Sequence, residues 1–198
     1  MNKKTQSSVW AFNLDKINLF SYWDRLFTPE ECAHIIKIGK KLSLEKGKVS
    51  SIDPQEDYKI RKSKVSWIFP EKETRFIFDK VSRTVLNLNE RFFDFDITSM
   101  SEGFQFTNYK APGSHYGKHV DRSTGALPRK LSISIQLTDP SKYSGGDLLI
   151  HDGPKPIEMR KQIGDLIMFP SFVLHEVTPV TKGERNSLVC WVTGPSFK

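Results

Sequence analysis

The chain has 198 residues, 37% of them hydrophobic and 27% charged, which is enough to bury one proper core. No Gly/Ser-rich or Pro-rich linker divides it, so one domain over residues 1–198 is expected, and no apolar run approaches the length that spans a bilayer. The net charge of +7 and a pI near 9.3 invite a nucleic-acid reading. Lys and Arg are spread along the chain, however, with local excesses only at Lys37, Lys40, Lys41, Lys46 and Lys48 and at Lys59, Arg61, Lys62 and Lys64. That pattern favours a solvated face, or an acidic or extended polypeptide partner, over dedicated nucleic-acid binding. The polar start Met1-Asn2-Lys3-Lys4-Thr5-Gln6-Ser7-Ser8 leads into no apolar segment of signal-peptide length. Cys32 and Cys190 are too few and too scattered for a disulfide framework. Both features predict a soluble cytoplasmic protein, in the host cytoplasm if the source is viral.

Helical signals come first. Thr28-Pro29-Glu30-Glu31 has a capping-box pattern with proline at the first helical position. Cys32, Ile35, Ile36, Gly39 and Leu42 then recur at helical spacing, so a helix is predicted from about 29 to 43. The charged stretch from Lys46 to Trp67, interrupted by Gly47 and Pro54, has the profile of a mobile lid, with a strand from about Lys64 to Phe69 at its end. Pro70 is expected to open a second helix, in which Ile77, Val81, Val85, Leu88 and Phe92 form one apolar stripe.

From Phe95 onward the chain turns to short extended runs separated by Gly, Pro and Asp. Strands are predicted at 103–109, 115–120, 130–137, 146–151, 156–160, 165–169, 174–180 and 185–192. Strands at this spacing read as a sandwich or open barrel, with the two helices buttressing one outer sheet. Along 130–137, Ser132, Ser134 and Gln136 share one face while Leu131, Ile133, Ile135 and Leu137 share the other. The apolar row belongs against the outer core, and the polar row is expected to face a cavity.

Chemistry concentrates in His119-Val120-Asp121 and in a later His175. Residues two apart project from the same side of an extended segment, so one strand end supplies an imidazole and a carboxylate and a later strand supplies the second imidazole. Two imidazoles and one carboxylate leave three octahedral positions open, the facial triad of non-heme Fe(II) oxygenases. His34, His115 and His151 are read as ordinary side chains. His115 sits four residues before His119, where alternation would allow it onto the same face, but no Asp two residues later completes a ligand pair.

An ordered set of motifs surrounds the triad: Gln105-Phe106-Thr107-Asn108-Tyr109, Pro112-Gly113 and Tyr116, His119-Val120-Asp121-Arg122, Gly145-Gly146-Asp147-Leu148, Gly164-Asp165-Leu166-Ile167-Met168-Phe169-Pro170, and His175 through Arg185. Over residues 20 to 194 the chain resembles the 2-oxoglutarate and Fe(II)-dependent dioxygenases, and within them the prolyl 4-hydroxylase group, especially its small stand-alone microbial and viral members. The resemblance implies a mainly β fold with flanking helices, a double-stranded β-helix (jelly roll) core over about 100–194. Helical support and the lid would occupy about 20–95.

It implies Fe(II), 2-oxoglutarate and dioxygen as cofactor and co-substrates, ascorbate as reductant, and His119, Asp121 and His175 as metal ligands. Arg185, ten residues after the second histidine, stands where the family places a basic anchor for the distal carboxylate of 2-oxoglutarate. Its planar fork can form two charge-assisted hydrogen bonds to one carboxylate. Tyr109 matches a tyrosine that lines the co-substrate pocket. Some relatives carry a tyrosine on the strand at 130–137 as a second carboxylate contact; here Ser134 or Gln136 is the substitute. If Arg185, Ser187, Val189 and Trp191 alternate along the last strand, all four face the cavity, with Trp191 as a pocket wall. Leu166, Ile167, Met168, Phe169 and Val177 are suited to give a dry wall.

Arg61 and Trp67 are the residues expected to grip an extended peptide backbone. The resemblance implies hydroxylation of an unactivated carbon, most simply prolyl 4-hydroxylation of a peptide or protein. Alternatives are an oxygenase acting on a free amino acid or on nucleic acid, or a non-catalytic binding module. Nucleic-acid oxygenases of this superfamily carry a second arginine six residues after the first, a position held here by Trp191. A halogenase would lack the carboxylate that Asp121 supplies. The oligomeric state is not predicted.

Overall fold

The computed structural model describes residues 18–47, 59–121 and 128–196. It opens with a short strand, β1 (Ser21–Trp23), and then helix α1 (Pro29–Lys41). The capping box forms as the sequence predicts: the Glu31 backbone N–H donates to Thr28 Oγ1 at 3.2 Å, and the Thr28 N–H donates to the Glu31 carboxylate at 2.9 Å. Strands β2 (Glu45–Lys46), β3 (Arg61–Lys62) and β4 (Lys64–Ile68) follow. The later part of the expected lid is therefore paired strand, while its residues 48–58 lie outside the described residues. Helix α2 runs Arg75–Phe92. It starts after Pro70 and not at it, because Thr74 Oγ1 donates to the Phe69 carbonyl at 2.6 Å and accepts from the Glu71 N–H at 2.8 Å, closing a turn first.

The remaining elements are β5 (Phe104–Lys110), β6 (Ser114–His119), β7 (Arg129–Gln136), a 3₁₀ turn (Pro140–Lys142), β8 (Tyr143–Gly145), β9 (Leu148–His151), β10 (Ile157–Glu158), β11 (Leu166–Pro170) and β12 (Leu174–Thr193). The runs predicted at 174–180 and 185–192 are thus one hydrogen-bonded strand. All pairings are antiparallel. The major sheet has the order β1-β11-β7-β12-β5-β4-β2. The minor sheet is β3-β6-β12-β9-β10, with β8 also against β12. Strand β12 belongs to both, and the two sheets face each other as a jelly roll.

Period-two alternation sorts the side chains. Leu131, Ile133 and Ile135 of β7, Leu166 and Met168 of β11, and Leu188, Cys190 and Val192 of β12 join one core with Cys32 and Ile35 of α1 and Ile77, Val81, Val85 and Leu88 of α2. The intervening residues Ile167 and Phe169 form a second cluster between the sheets with Tyr109, Leu148, Ile150, Val177 and Val180. The helices therefore pack on the outer face of the major sheet, as expected, and lock to each other through Lys80 Nζ and Glu31 at 2.6 Å. Cys32 and Cys190 are free and fully buried, and burial pushes both thiols up to about 12. Among the described residues, no helix is long and apolar enough to cross a membrane.

Gly39 lets α1 approach the sheet closely, since a Cβ there would come within 2.3 Å of the ring of the fully buried Phe106. Helix propensity alone would favour alanine by about 1 kcal/mol. Overpacking opposes it with about 1–3 kcal/mol. Gly39→Ala is therefore expected to lower the thermal midpoint, while Gly153→Ala, where a Cβ meets nothing within 4 Å, leaves it nearly unchanged. Differential scanning calorimetry on both variants checks this.

Candidate active site

The two sheets enclose a cavity of about 690 Å³, open at one end. Strand β6 and the start of β12 bring His119 and His175 directly opposite each other in register. Asp121, just past β6, is fixed by its N–H donating to the Ser171 carbonyl at 2.9 Å. The ligand atoms of His119, Asp121 and His175 all lie within 4.8 Å of one another. Nε2 of His119 is 3.7 Å from Asp121 Oδ1, and Nε2 of His175 is 3.5 Å from Oδ2.

Both imidazoles are oriented by the backbone. Nδ1 of His119 meets the Gly117 carbonyl at 2.7 Å, and Nδ1 of His175 meets the Val173 carbonyl at 2.9 Å. A carbonyl only accepts, so each Nδ1 carries the proton and each Nε2 turns a lone pair toward Asp121, the arrangement that a metal-ligating histidine needs. Burial and the neighbouring His175 push the pKa of His119 down, which keeps it neutral. Burial acts to raise the Asp121 pKa, but the neighbouring histidines and the Ser132 hydroxyl, which donates to Oδ2 at 2.7 Å, outweigh it, and the net shift is downward. Two neutral imidazole nitrogens and one carboxylate, converging with their protons turned away, fit a divalent cation such as Fe(II).

A bulge explains which residues of β6 face inward. His175 pairs with His119 but Val177 pairs with Tyr116, so two steps on β12 match three on β6. Tyr116 consequently stacks on His119 at 3.5 Å between centroids with 14° between planes. His115, which strict alternation would have turned inward, instead sets Nδ1 against the Gly113 carbonyl at 2.9 Å and Nε2 against the Lys59 carbonyl at 2.8 Å. His151 pairs with Glu176 at 2.8 Å, and His34 is half-exposed beside Glu73.

Arg185 is 1% exposed and sits in the same cavity wall. Among the described residues its Nη1 donates only a long 3.4 Å bond to Ser187 Oγ, its Nε has no partner, and no carboxylate pairs with it. Its guanidinium carbon lies 5.3 Å from the ring of Tyr109, which lines the cavity and whose phenol is pushed up mainly by burial. Ser187, Val189 and Trp191 follow Arg185 along the wall, as alternation predicts, and Ser134 lines it from β7. Gln136 does not reach the wall; it is buried opposite Ser187 in the register. Of the expected dry wall, Phe169 and Val177 line the cavity and Ile167 packs behind them, whereas Leu166 and Met168 face the helices.

The mouth holds the remaining expected residues. Arg61 is buried, donates to Ser63 Oγ at 2.9 Å and Gln105 Oε1 at 2.7 Å, and lies over the Tyr116 ring at 4.5 Å. Trp67 is 36% exposed, 6.3 Å from Trp191. The Arg129 guanidinium stacks on Trp191 at 3.8 Å and forks onto Glu102, with Nε at 2.7 Å. Sequence reasoning passed over Ser132, Tyr116, Arg129 and Glu102 as site residues. Ser132 was findable, since it heads the polar row of β7; Tyr116 was not, because only the bulge turns it inward.

Removing Asp121 takes away the single anion between the imidazoles, so Asp121→Ala is expected to abolish stoichiometric Mn(II) or Co(II) binding in equilibrium dialysis with the circular dichroism spectrum retained. Ser132→Ala, which strips a hydrogen bond from the carboxylate, should weaken metal affinity by roughly ten- to hundredfold.

Comparison with known proteins agrees with this geometry. Residues 104–193 match the family model of the 2OG-Fe(II) oxygenase superfamily. A PKHD-type hydroxylase of Nitrosomonas europaea is 35% identical over 114 residues, covering 54% of this chain and 49% of the relative; the chain thus spans about half the length of that protein. Among solved structures, a Pseudomonas putida prolyl-4-hydroxylase superposes with a TM-score of 0.70 at 20% identity, covering 90% of this chain and 94% of that one. A prolyl hydroxylase from Trichoplax adhaerens, in complex with a hypoxia inducible factor peptide fragment, gives 0.73 at 18% identity, covering 89% and 84%. At these identities the structural likeness establishes the jelly-roll fold. The match over residues 104–193, a segment that contains His119, Asp121, His175 and Arg185, makes that part of the chain similar to the 2OG-Fe(II) oxygenase superfamily.

Proposed function

We propose that this protein is an Fe(II)- and 2-oxoglutarate-dependent dioxygenase that hydroxylates an unactivated carbon, with prolyl 4-hydroxylation of a peptide or protein as its activity. The observation that carries the reading is Arg185. A guanidinium 1% exposed and without a carboxylate partner among the described residues is costly to bury, and its presence in the wall shared with the triad marks a place for an anion. A dicarboxylate fits: one end for the metal, the other for the arginine.

His119, Asp121 and His175 would hold Fe(II), leaving three sites for exchangeable ligands. With 2-oxoglutarate and dioxygen, such a site supplies oxidative decarboxylation, in which one oxygen atom enters succinate, carbon dioxide leaves, and the other oxygen atom converts a substrate C–H into C–OH. The protein's own share is positioning and exclusion. Arg185 fixes the distal carboxylate by charge-assisted hydrogen bonds, and Tyr109 and Ser134 stand in the wall as further polar contacts. Leu148, Phe169 and Val177 keep the inner wall dry. Trp191, held flat by Arg129, walls the side toward the mouth, and Arg61 and Trp67 border the entrance where a substrate chain would enter. Ascorbate would serve as the reductant that keeps the iron ferrous.

The test is mass spectrometry of a proline-peptide panel incubated with Fe(II), 2-oxoglutarate and ascorbate. One added oxygen atom on proline, with succinate formed in step, is the expected product; oxygen added only to free amino acids or nucleic acid would contradict the proposed substrate. Arg185→Ala is expected to raise the 2-oxoglutarate requirement by about 2–5 kcal/mol in binding terms, with Arg185→Lys recovering part, because an ammonium replaces the fork by a point charge. A titration that overlays the parent curve would move the anchor elsewhere, with Lys182 next to test.

A further inference from the structure

Large apolar side chains are not exposed evenly over the surface. Three that are, Ile60 at 38%, Trp67 at 36% and Phe69 at 55%, fall within ten residues of one another, and Ile60 and Trp67 line the cavity. Clusters of exposed apolar surface beside a cavity mark binding surfaces more often than isolated ones do. Trp67 and Phe69 are two apart along the extended run that leaves β4, so both project from the same side. Phe69 stands outside the cavity, beyond Trp67.

The ground between them is built to keep them adjacent. The turn at Glu102-Gly103 carries Glu102 in the cavity wall, where it holds Arg129. Gly103 has φ +74°, and a Cβ there would come within 3.0 Å of both the Phe69 ring and the Ile68 carbonyl; a side chain at 103 would push the turn off the ring. Trp67, 6.3 Å from the buried Trp191 of the cavity wall, and Phe69, against the Glu102-Gly103 turn, are thus the inner and outer ends of one exposed apolar shelf beside the Glu102–Arg129 pair.

We propose that this shelf is an exosite for the substrate polypeptide, with Phe69 receiving an apolar side chain that flanks the target residue. The proposal rests on the polypeptide reading given above and adds a sequence preference to it. A free amino acid would occupy the cavity and could not reach Phe69. An extended chain advances about 3.3 Å per residue, so Phe69 meets a residue roughly two positions further out than the one on Trp67. The shelf selects for apolar character and not for charge, because Arg129 and Glu102 neutralise each other.

The experiment uses the full chain with Fe(II), 2-oxoglutarate and a library of 15-residue peptides, each with a central proline and degenerate flanks, read by mass spectrometry for gain of one oxygen. The parent should enrich apolar residues at one fixed offset outside the target. Phe69→Ser should flatten that enrichment and raise KM roughly tenfold for peptides that carry the apolar residue, without changing KM for peptides that lack it or the 2-oxoglutarate turnover without peptide. Phe69→Leu should restore it. Leu86→Ser, which alters an exposed side chain on α2, should have no effect. An unchanged profile in Phe69→Ser, an equal loss for all peptides, or no apolar enrichment in the parent would each overturn the exosite while leaving the oxygenase reading intact. Oxygen gained by none of the peptides would overturn the polypeptide reading itself, and the exosite with it.

Discussion

Strand β12 has to serve both sheets, and the site exists because it does so while bending. His175 pairs in the minor sheet with β6 and β9, and Arg185 pairs in the major sheet with β5. Ten residues of straight strand would separate them by roughly 33 Å, far more than the cavity is wide, yet both line it. The bend falls between them. Register shifts break the ladder between Val177 and Val180 and again between Val180 and Lys182, and Gly183 has φ +71° with the Lys142 carbonyl pressed where a Cβ would project. A residue with a side chain at 183 would force β8 away and swing Arg185 off the cavity. His175 and Arg185 are thereby set at a fixed separation by one continuous piece of backbone.

Around that strand the protein buries charge that it does not fully satisfy internally. Among the described residues Asp121 accepts a side-chain hydrogen bond from Ser132 and faces the lone pairs of two imidazoles, and Arg185 has an orphaned Nε. An apolar interior of the same shape would be at least as stable. The outer core supplies the compensation: the helix-facing residues of β5, β7, β11 and β12 are almost all apolar and fully buried against α1 and α2. A well-packed outer layer supporting a polar, incompletely paired inner one is the arrangement expected where binding sets the interior.

Much of this was readable from the residues. The alternation of Ser and Ile along β7 foretold which face was cavity and which was core, and the capping box located α1. The two runs at 174–180 and 185–192 fell on either side of the true bend, although hydrogen bonding makes them one strand. What escaped had physical causes. Strands β1, β2, β3 and β8 have two or three residues each, too short for a period to show, and they form because a neighbouring strand edge is available. Tyr116 and His115 exchanged faces through a bulge that no local pattern announces. Gln136 sits on the polar row but past the end of the cavity wall, a matter of cavity extent that alternation does not encode. Helix α2 begins late because the Thr74 hydroxyl closes a turn after Pro70.

The proposed function requires one small molecule to span the cavity from the triad to Arg185, so that its two ends are thermodynamically linked through the metal. Isothermal titration of 2-oxoglutarate into the protein, with and without saturating Mn(II) and with oxygen excluded, tests this directly. The account predicts one 2-oxoglutarate per chain and at least roughly tenfold tighter binding when the metal is present, the coupling expected when two sites share a ligand. Equal affinity with and without metal would mean that the dicarboxylate does not bridge the triad and Arg185, and would contradict the account.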